Sequence, residues 1–186
     1  AVPGDQRQHY IPRMEWAGND EVIIQQLNRK QNESRLYLAN AGNGKGYYIH
    51  SEKDAAWIDI LPSIDDDYNY GGWDWLDGGK SFLWVSEQDG WRHLYRMSRN
   101  GKESILLTEG NFDVIEIAAV REAEGYVYFY ASPDNATQKY LYRSKLNGEG
   151  GSERVTPLEQ PGTHVYTISP NADLAIHSFS NHKVPF

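Results

Sequence analysis

The sequence contains no cysteine. That excludes disulfide staples, thiolate metal ligands and a cysteine nucleophile, and it leaves the compartment open, because exported proteins also do without Cys. Positive charge is scarce: 18 Lys and Arg against 26 Asp and Glu give a net charge of −8, which argues against nucleic acid as a partner. No apolar run approaches the ~20 residues of a membrane span, so no membrane segment is expected. The N-terminus, AVPGDQRQHY, lacks the apolar core of a signal peptide and reads like a chain cut from something longer. The C-terminus, SFSNHKVPF, reads the same way. No G-x-S-x-G motif, which exposes a nucleophilic serine on a strained turn, occurs anywhere. The six histidines (9, 50, 93, 164, 177 and 182) form neither an H-x-H pair nor an i, i+4 helical pair, so no metal site and no cofactor are expected. His93 reads as structural. Asp65-Asp66-Asp67 lacks the spaced oxygens and the glycine of a calcium loop and reads as an exposed acidic loop.

Aromatic residues are plentiful, at 13% of 186 residues with 13 Tyr and 6 Trp, as suits half-buried sheet surfaces. No helical periodicity competes. The stretch SEQDGWRHLYRMSRNG, residues 86–101, carries two turn dipeptides, Asp89-Gly90 and Asn100-Gly101, around one strand-length segment. Its pattern recurs. Leu-Tyr pairs at 36–37, 94–95 and 141–142 are each followed by Asn-Gly, at 43–44, 100–101 and 147–148. Each pair is preceded by a β-rich run: EVIIQQL, FLWVS and YVYFYAS. Polar turns (AGND, LDGGK, REAEG) precede those runs, and the short strands RMEW, WDW and IAAV precede the turns. Further strands are expected at WIDI (57–60), VIEI (114–117) and VYTI (165–168), a pitch of 57 and then 51 residues.

Four short antiparallel strands repeated about every 50 residues are the signature of β-propeller blades. The expected fold is all-β: a partial β-propeller of about three and a half four-stranded antiparallel blades. The units run over roughly residues 10–56, 57–113 and 114–164, with a half-blade over 165–186. Leu36, Leu94 and Leu141 are then core residues, with their tyrosine partners on the other face. A plain β-sandwich is the alternative, and it gives no reason for matching Leu-Tyr and Asn-Gly offsets.

The segments QHYIPRMEWAGNDEVIIQQLNRKQN, SFLWVSEQDGWRHLYRM, TEGNFDVIEI and YVYFYASPDNATQKYLYR, in this order from Tyr10 to Ser180, resemble the propeller of the dipeptidyl peptidase IV branch of the prolyl oligopeptidase family. The resemblance implies an eight-bladed propeller preceding an α/β-hydrolase domain that carries a Ser-Asp-His triad. It implies release of N-terminal X-Pro and X-Ala dipeptides outside the cytoplasm. In that family a Glu pair on the propeller holds the substrate's amino group. This chain has no Glu-Glu dipeptide, since Ala123 separates Glu122 from Glu124, so neither nucleophile nor amine anchor is carried over. No catalytic residue is expected here; the hydrolase domain and the missing blades would be partners of this segment.

One connection is longer than the others: LPSIDDDYNYGG, residues 61–72. In the family the matching region carries an aromatic and an arginine bordering the substrate's second subsite. The resemblance puts Tyr68, Asn69 and Tyr70 there, with the arginine unmatched, and Tyr68 and Tyr70 are expected nearer the propeller axis than Tyr95 or Tyr142; the alternative is a solvated tyrosine-rich loop. Asn32-Glu33-Ser34 and Asn135-Ala136-Thr137 satisfy the glycosylation sequon. The function implied is a non-catalytic segment walling and gating the peptide cavity of a serine exopeptidase. The alternative is a stand-alone propeller-like module binding peptide or carbohydrate. Bare blade faces and an unpaired edge near LAIHSFS lead to an expectation of self-association.

Overall fold

β-Branched and aromatic runs separated by glycine-bearing turns build three four-stranded antiparallel meanders and a hairpin. The computed structural model describes residues 2–5, 7–60 and 73–185. The first sheet joins β1 (His9–Trp16), β2 (Glu21–Asn28), β3 (Glu33–Asn40) and β4 (Gly46–Lys53) in chain order. The second joins β5 (Trp75–Leu76), β6 (Ser81–Ser86), β7 (His93–Ser98) and β8 (Ser104–Leu106). The third joins β9 (Val114–Arg121), β10 (Tyr126–Ala131), β11 (Tyr140–Lys145) and β12 (Glu153–Arg154), and β13 (Thr163–Ile168) pairs with β14 (Ala175–Ser180). The segment RHLYRMS thus lies in the third strand of its meander, as its flanking turns predict. A 3-10 turn, Glu122–Glu124, closes on Gly125 at φ 75° and joins β9 to β10.

The middle strands do not alternate between buried and exposed. Residues 23–27 of β2 and 81–84 of β6 are buried in succession, as strands covered on both faces are. The Leu-Tyr repeat shows the same thing: Leu36, Leu94 and Leu141 are buried, and so are Tyr37, Tyr95 and Tyr142. The amide nitrogens of the two glutamines that this burial catches find partners. Gln25 Nε2 donates to Ser34 Oγ at 3.1 Å, and Gln26 Nε2 donates to the Pro3 carbonyl at 2.8 Å.

One expected strand is absent. WIDI, residues 57–60, carries no regular secondary structure. Asp54 Oδ1 accepts the backbone N–H groups of Ala56 (2.6 Å) and Trp57 (3.1 Å), and Ile58 N donates to the Gln31 carbonyl at 2.6 Å. Those local bonds take up donors that a ladder would need and turn the chain away from β4.

Contacts divide the chain into two compact units: Ala1–Gln88 with Met97–Ser104, and Asp89–Arg96 with Ile105–Phe186. In the first, Arg99 ties two turns together. Its Nη2 donates to Glu21 Oε2 (2.6 Å) and the Ala17 carbonyl (2.5 Å), its Nη1 to the Gly79 carbonyl (3.0 Å), and its guanidinium lies 4.8 Å from the Trp75 ring centre. In the second, Asp89 does more than open a turn. Its Oδ2 accepts from His93 Nδ1 (2.8 Å) and Tyr95 Oη (2.9 Å), and its Oδ1 accepts from Trp91 N (3.2 Å). Burial pushes this carboxyl up, but the hydrogen bonds from His93 and Tyr95 outweigh it and hold it below its ordinary value. His93 is fully enclosed, edge-on to Phe112 at 5.8 Å.

Candidate functional site

Tyr68, Asn69 and Tyr70 lie outside the described residues, as do Asp65, Asp66 and Asp67. What the structure shows is the C-terminal root of their segment, where the chain re-enters at Trp73. Pro12 sits in the irregular register between Tyr10 and Arg13 on β1, the edge strand of its sheet, where a missing N–H costs no ladder bond. The strand regains register at Arg13, opposite Gln25.

The Arg13 guanidinium stacks on the Trp73 ring, 4.1 Å from its centre, and Nη2 donates to Glu15 Oε1 at 3.2 Å. Glu15 Oε2 in turn accepts Trp73 N at 3.2 Å. The Trp73 ring lies parallel to that of Trp84, with centres 6.3 Å apart and planes 8° from parallel. Trp84 Nε1 donates to Glu52 Oε1 at 2.6 Å, and His50 Nε2 lies 3.2 Å from the same oxygen. Cation, two indoles and carboxylate form one continuous column, with both tryptophans buried. Trp73 Nε1 has no hydrogen-bond partner among the described residues.

Burial pulls the Arg13 guanidinium down from its ordinary value, against the support of Glu15. Burial, with the Glu15 charge, pushes the Asp74 carboxyl up, against Arg13. The folded state therefore holds the Asp74 proton more tightly than the unfolded chain does. Its contribution favours folding below the unfolded pKa and is lost as pH rises through the folded one. Asp74→Asn should accordingly raise Tm at about pH 7, with the gain shrinking toward about pH 3, below the unfolded pKa, where the carboxyl is mostly protonated in both states. Thermal melts across that range check this; an unchanged or lower Tm at neutral pH would contradict it.

Of the two sequons, Asn135 is exposed and its Oδ1 accepts from Thr137 N (3.0 Å) and Thr137 Oγ1 (2.8 Å). In the other, Ser34 is buried and Asn32 Oδ1 accepts from Asn28 Nδ2 at 2.8 Å.

The family model described as the dipeptidyl peptidase IV (DPP IV) N-terminal region matches residues 1–186. The chain belongs to this family. Among curated relatives it is similar to a probable dipeptidyl peptidase 4 of Emericella nidulans, 27% identical over 175 residues, covering 89% of this chain and 22% of that protein. It is also similar to a probable dipeptidyl-aminopeptidase B of Aspergillus oryzae, 29% identical over 193 residues, covering 99% of this chain and 20% of that protein. The crystal structure of Porphyromonas gingivalis dipeptidyl peptidase 4 superposes with a TM-score of 0.77 at 25% identity, over 97% of this chain and 24% of that one. A putative dipeptidyl aminopeptidase IV from Bacteroides ovatus shares the fold, with a TM-score of 0.70 at 22% identity, over 95% of this chain and 26% of that one. The chain spans about a fifth of the length of these curated relatives.

The DPP IV N-terminal segment is thus a partial β-propeller of antiparallel blades, as the repeat predicts. Among the described residues no helix is long and apolar enough to cross a membrane. Sequence reasoning missed Arg13, Glu15, Glu52 and Trp84 at the loop root. The W-D-W triplet beside the insertion was a usable signal for Trp73; nothing local marks Arg13.

Proposed function

We propose that this chain is the propeller segment of a serine-type dipeptidyl peptidase acting outside the cytoplasm on X-Pro and X-Ala peptides. In this reading it walls and gates the substrate cavity, and Tyr68, Asn69 and Tyr70 border the second subsite. The match of the DPP IV N-terminal family across residues 1–186 carries the reading. The Arg13–Trp73–Trp84 column supports it, because a binding loop needs a rigid root. Chemistry belongs to the rest of the protein. The chain alone should not turn over Gly-Pro or Ala-Pro chromogenic substrates; turnover abolished by a serine-directed inhibitor would overturn the reading. In the whole peptidase, Tyr68→Ala should raise KM more than it lowers kcat, as loss of uniform binding does.

Self-association of the isolated chain belongs to the same reading. Met14, Ile24, Tyr37 and Tyr48 stand in register across the first sheet, and Met14 and Tyr48 are 61% and 54% exposed. In the hairpin, Ile176 is 72% exposed. Apolar rows of this kind favour a second copy of the chain. Light scattering should show a mass that rises with concentration, and a constant monomeric mass would remove the idea.

A further inference from the structure

Within the first unit, a cavity of about 230 Å³ opens where the ends of β4 and β6 meet the irregular segment 54–59. Its walls carry two indoles, Trp57 and Trp84, and four carboxylates, Glu52, Asp54, Asp59 and Glu87. Lys53, the one ammonium among the described lining residues, lies 3.6 Å from Glu33 Oε1 with most of its side chain in water. The lining is therefore rich in acceptors and aromatic faces and strongly negative.

A second observation is independent of the carboxylates. Gln25 also lines the cavity and is 2% exposed. Its Nε2 is used by Ser34, while its Oε1 has no hydrogen-bond partner among the described residues. A buried amide oxygen without a donor costs about 1–3 kcal/mol, so a ligand that donates to it gains what the described residues do not supply. A single water fills only about 30 Å³, far less than the space present. Glu52 is pre-positioned for a further partner. Both of its hydrogen bonds among the described residues, from Trp84 and His50, fall on Oε1, and its side chain is only 11% exposed. Trp84 is held by the same bond, so its ring is fixed in place, while Trp57 stands half-exposed at the mouth. Aromatic faces with carboxylates behind them are the recognition chemistry of organic cations.

We propose that this cavity binds an alkylammonium or alkylguanidinium group, with Trp57 and Trp84 on the cation's faces and Glu52 and Gln25 accepting its N–H bonds. This goes beyond the peptidase reading and uses no residue of the 61–72 segment. It is tested by isothermal titration calorimetry of the protein with agmatine, against N-butylurea, a neutral analogue with a urea in place of the guanidinium and no terminal ammonium. Agmatine should bind at least about tenfold more tightly, the worth of one charge-assisted hydrogen bond, and its affinity should fall as salt is added. Glu52→Gln should weaken agmatine binding about tenfold, and Trp57→Ala several-fold, with little change for N-butylurea. Because Trp57 is exposed, its variant keeps the test valid if Glu52→Gln does not fold. A C-terminally amidated arginine tripeptide and spermidine separate the two sources of such a group: tighter tripeptide binding assigns the site to a basic peptide side chain, tighter spermidine binding to a free polyamine. Equal affinity for agmatine and N-butylurea, or agmatine binding untouched by both substitutions, would overturn the proposal. Neither result bears on the family reading, which rests on other residues.

Discussion

Gly101→Ala should cost about 3–5 kcal/mol of stability, the most of any alanine in the three Asn-Gly turns. Gly44, Gly101 and Gly148 share the left-handed conformation, with φ of 68°, 70° and 77°. Each therefore carries the same local penalty for a Cβ, about 1 kcal/mol. Their surroundings differ. A Cβ at Gly44 would meet nothing within 4 Å. At Gly148 it would come within 2.6 Å of Ile105 Cγ2, a side-chain tip that can turn aside, and 3.0 Å from the Leu106 carbonyl oxygen. At Gly101 it would lie 1.8 Å from the Ile49 carbonyl oxygen and 2.6 Å from its carbon, atoms of a paired strand that cannot move alone. The expected order of loss is Gly101, then Gly148 at about 2 kcal/mol, then Gly44 at about 1 kcal/mol. Denaturant midpoints of the three variants check it. A Gly101→Ala protein as stable as Gly44→Ala would show that Ile49 does not pack against this turn.

The same three turns mark how far the sequence could be read. Asn-Gly is a local signal, because the demand for positive φ belongs to the dipeptide itself. Recurring behind each Leu-Tyr pair, it exposed the meanders and hence the fold class. What presses on Gly101 is non-local: Ile49 comes from another sheet, and no spacing rule points to it. WIDI shows the opposite failure. Its composition is that of a strand, but Asp54 caps the preceding turn and removes the donors a ladder needs. At the candidate site, W-D-W was legible only as a short strand before a turn. The column of Arg13, Trp73, Trp84 and Glu52 draws on four separate segments, so only the folded chain brings it together. The tyrosines of the insertion were chosen through family resemblance, and their role rests on that resemblance still.

Phe129→Ala should be the most damaging core truncation in the second unit, at about 3–5 kcal/mol. Phe129 sits mid-strand on β10, flanked by Ile117 on β9 and Tyr142 on β11, and is fully buried. Its ring is parallel to Phe112 (centres 6.3 Å apart, 1°) and close to parallel with Tyr142 (6.0 Å, 22°). Phe112 also lies 6.3 Å from Tyr142, so three rings share one cluster. Truncating the central ring removes its own burial, leaves a cavity the size of a phenyl group, and takes one partner from each remaining ring. The surrounding strands are tied on both sides by ladder hydrogen bonds, so the space cannot close by a small shift. Phe129→Leu keeps most of the volume and loses only the ring contacts, so it should cost about 1–1.5 kcal/mol. The gap between the two variants isolates the cavity cost. Urea unfolding followed by circular dichroism measures both. If Phe129→Ala lost no more than Phe129→Leu, the cluster would have to repack around the vacancy, and the parallel three-ring arrangement would not be what holds β9, β10 and β11 together.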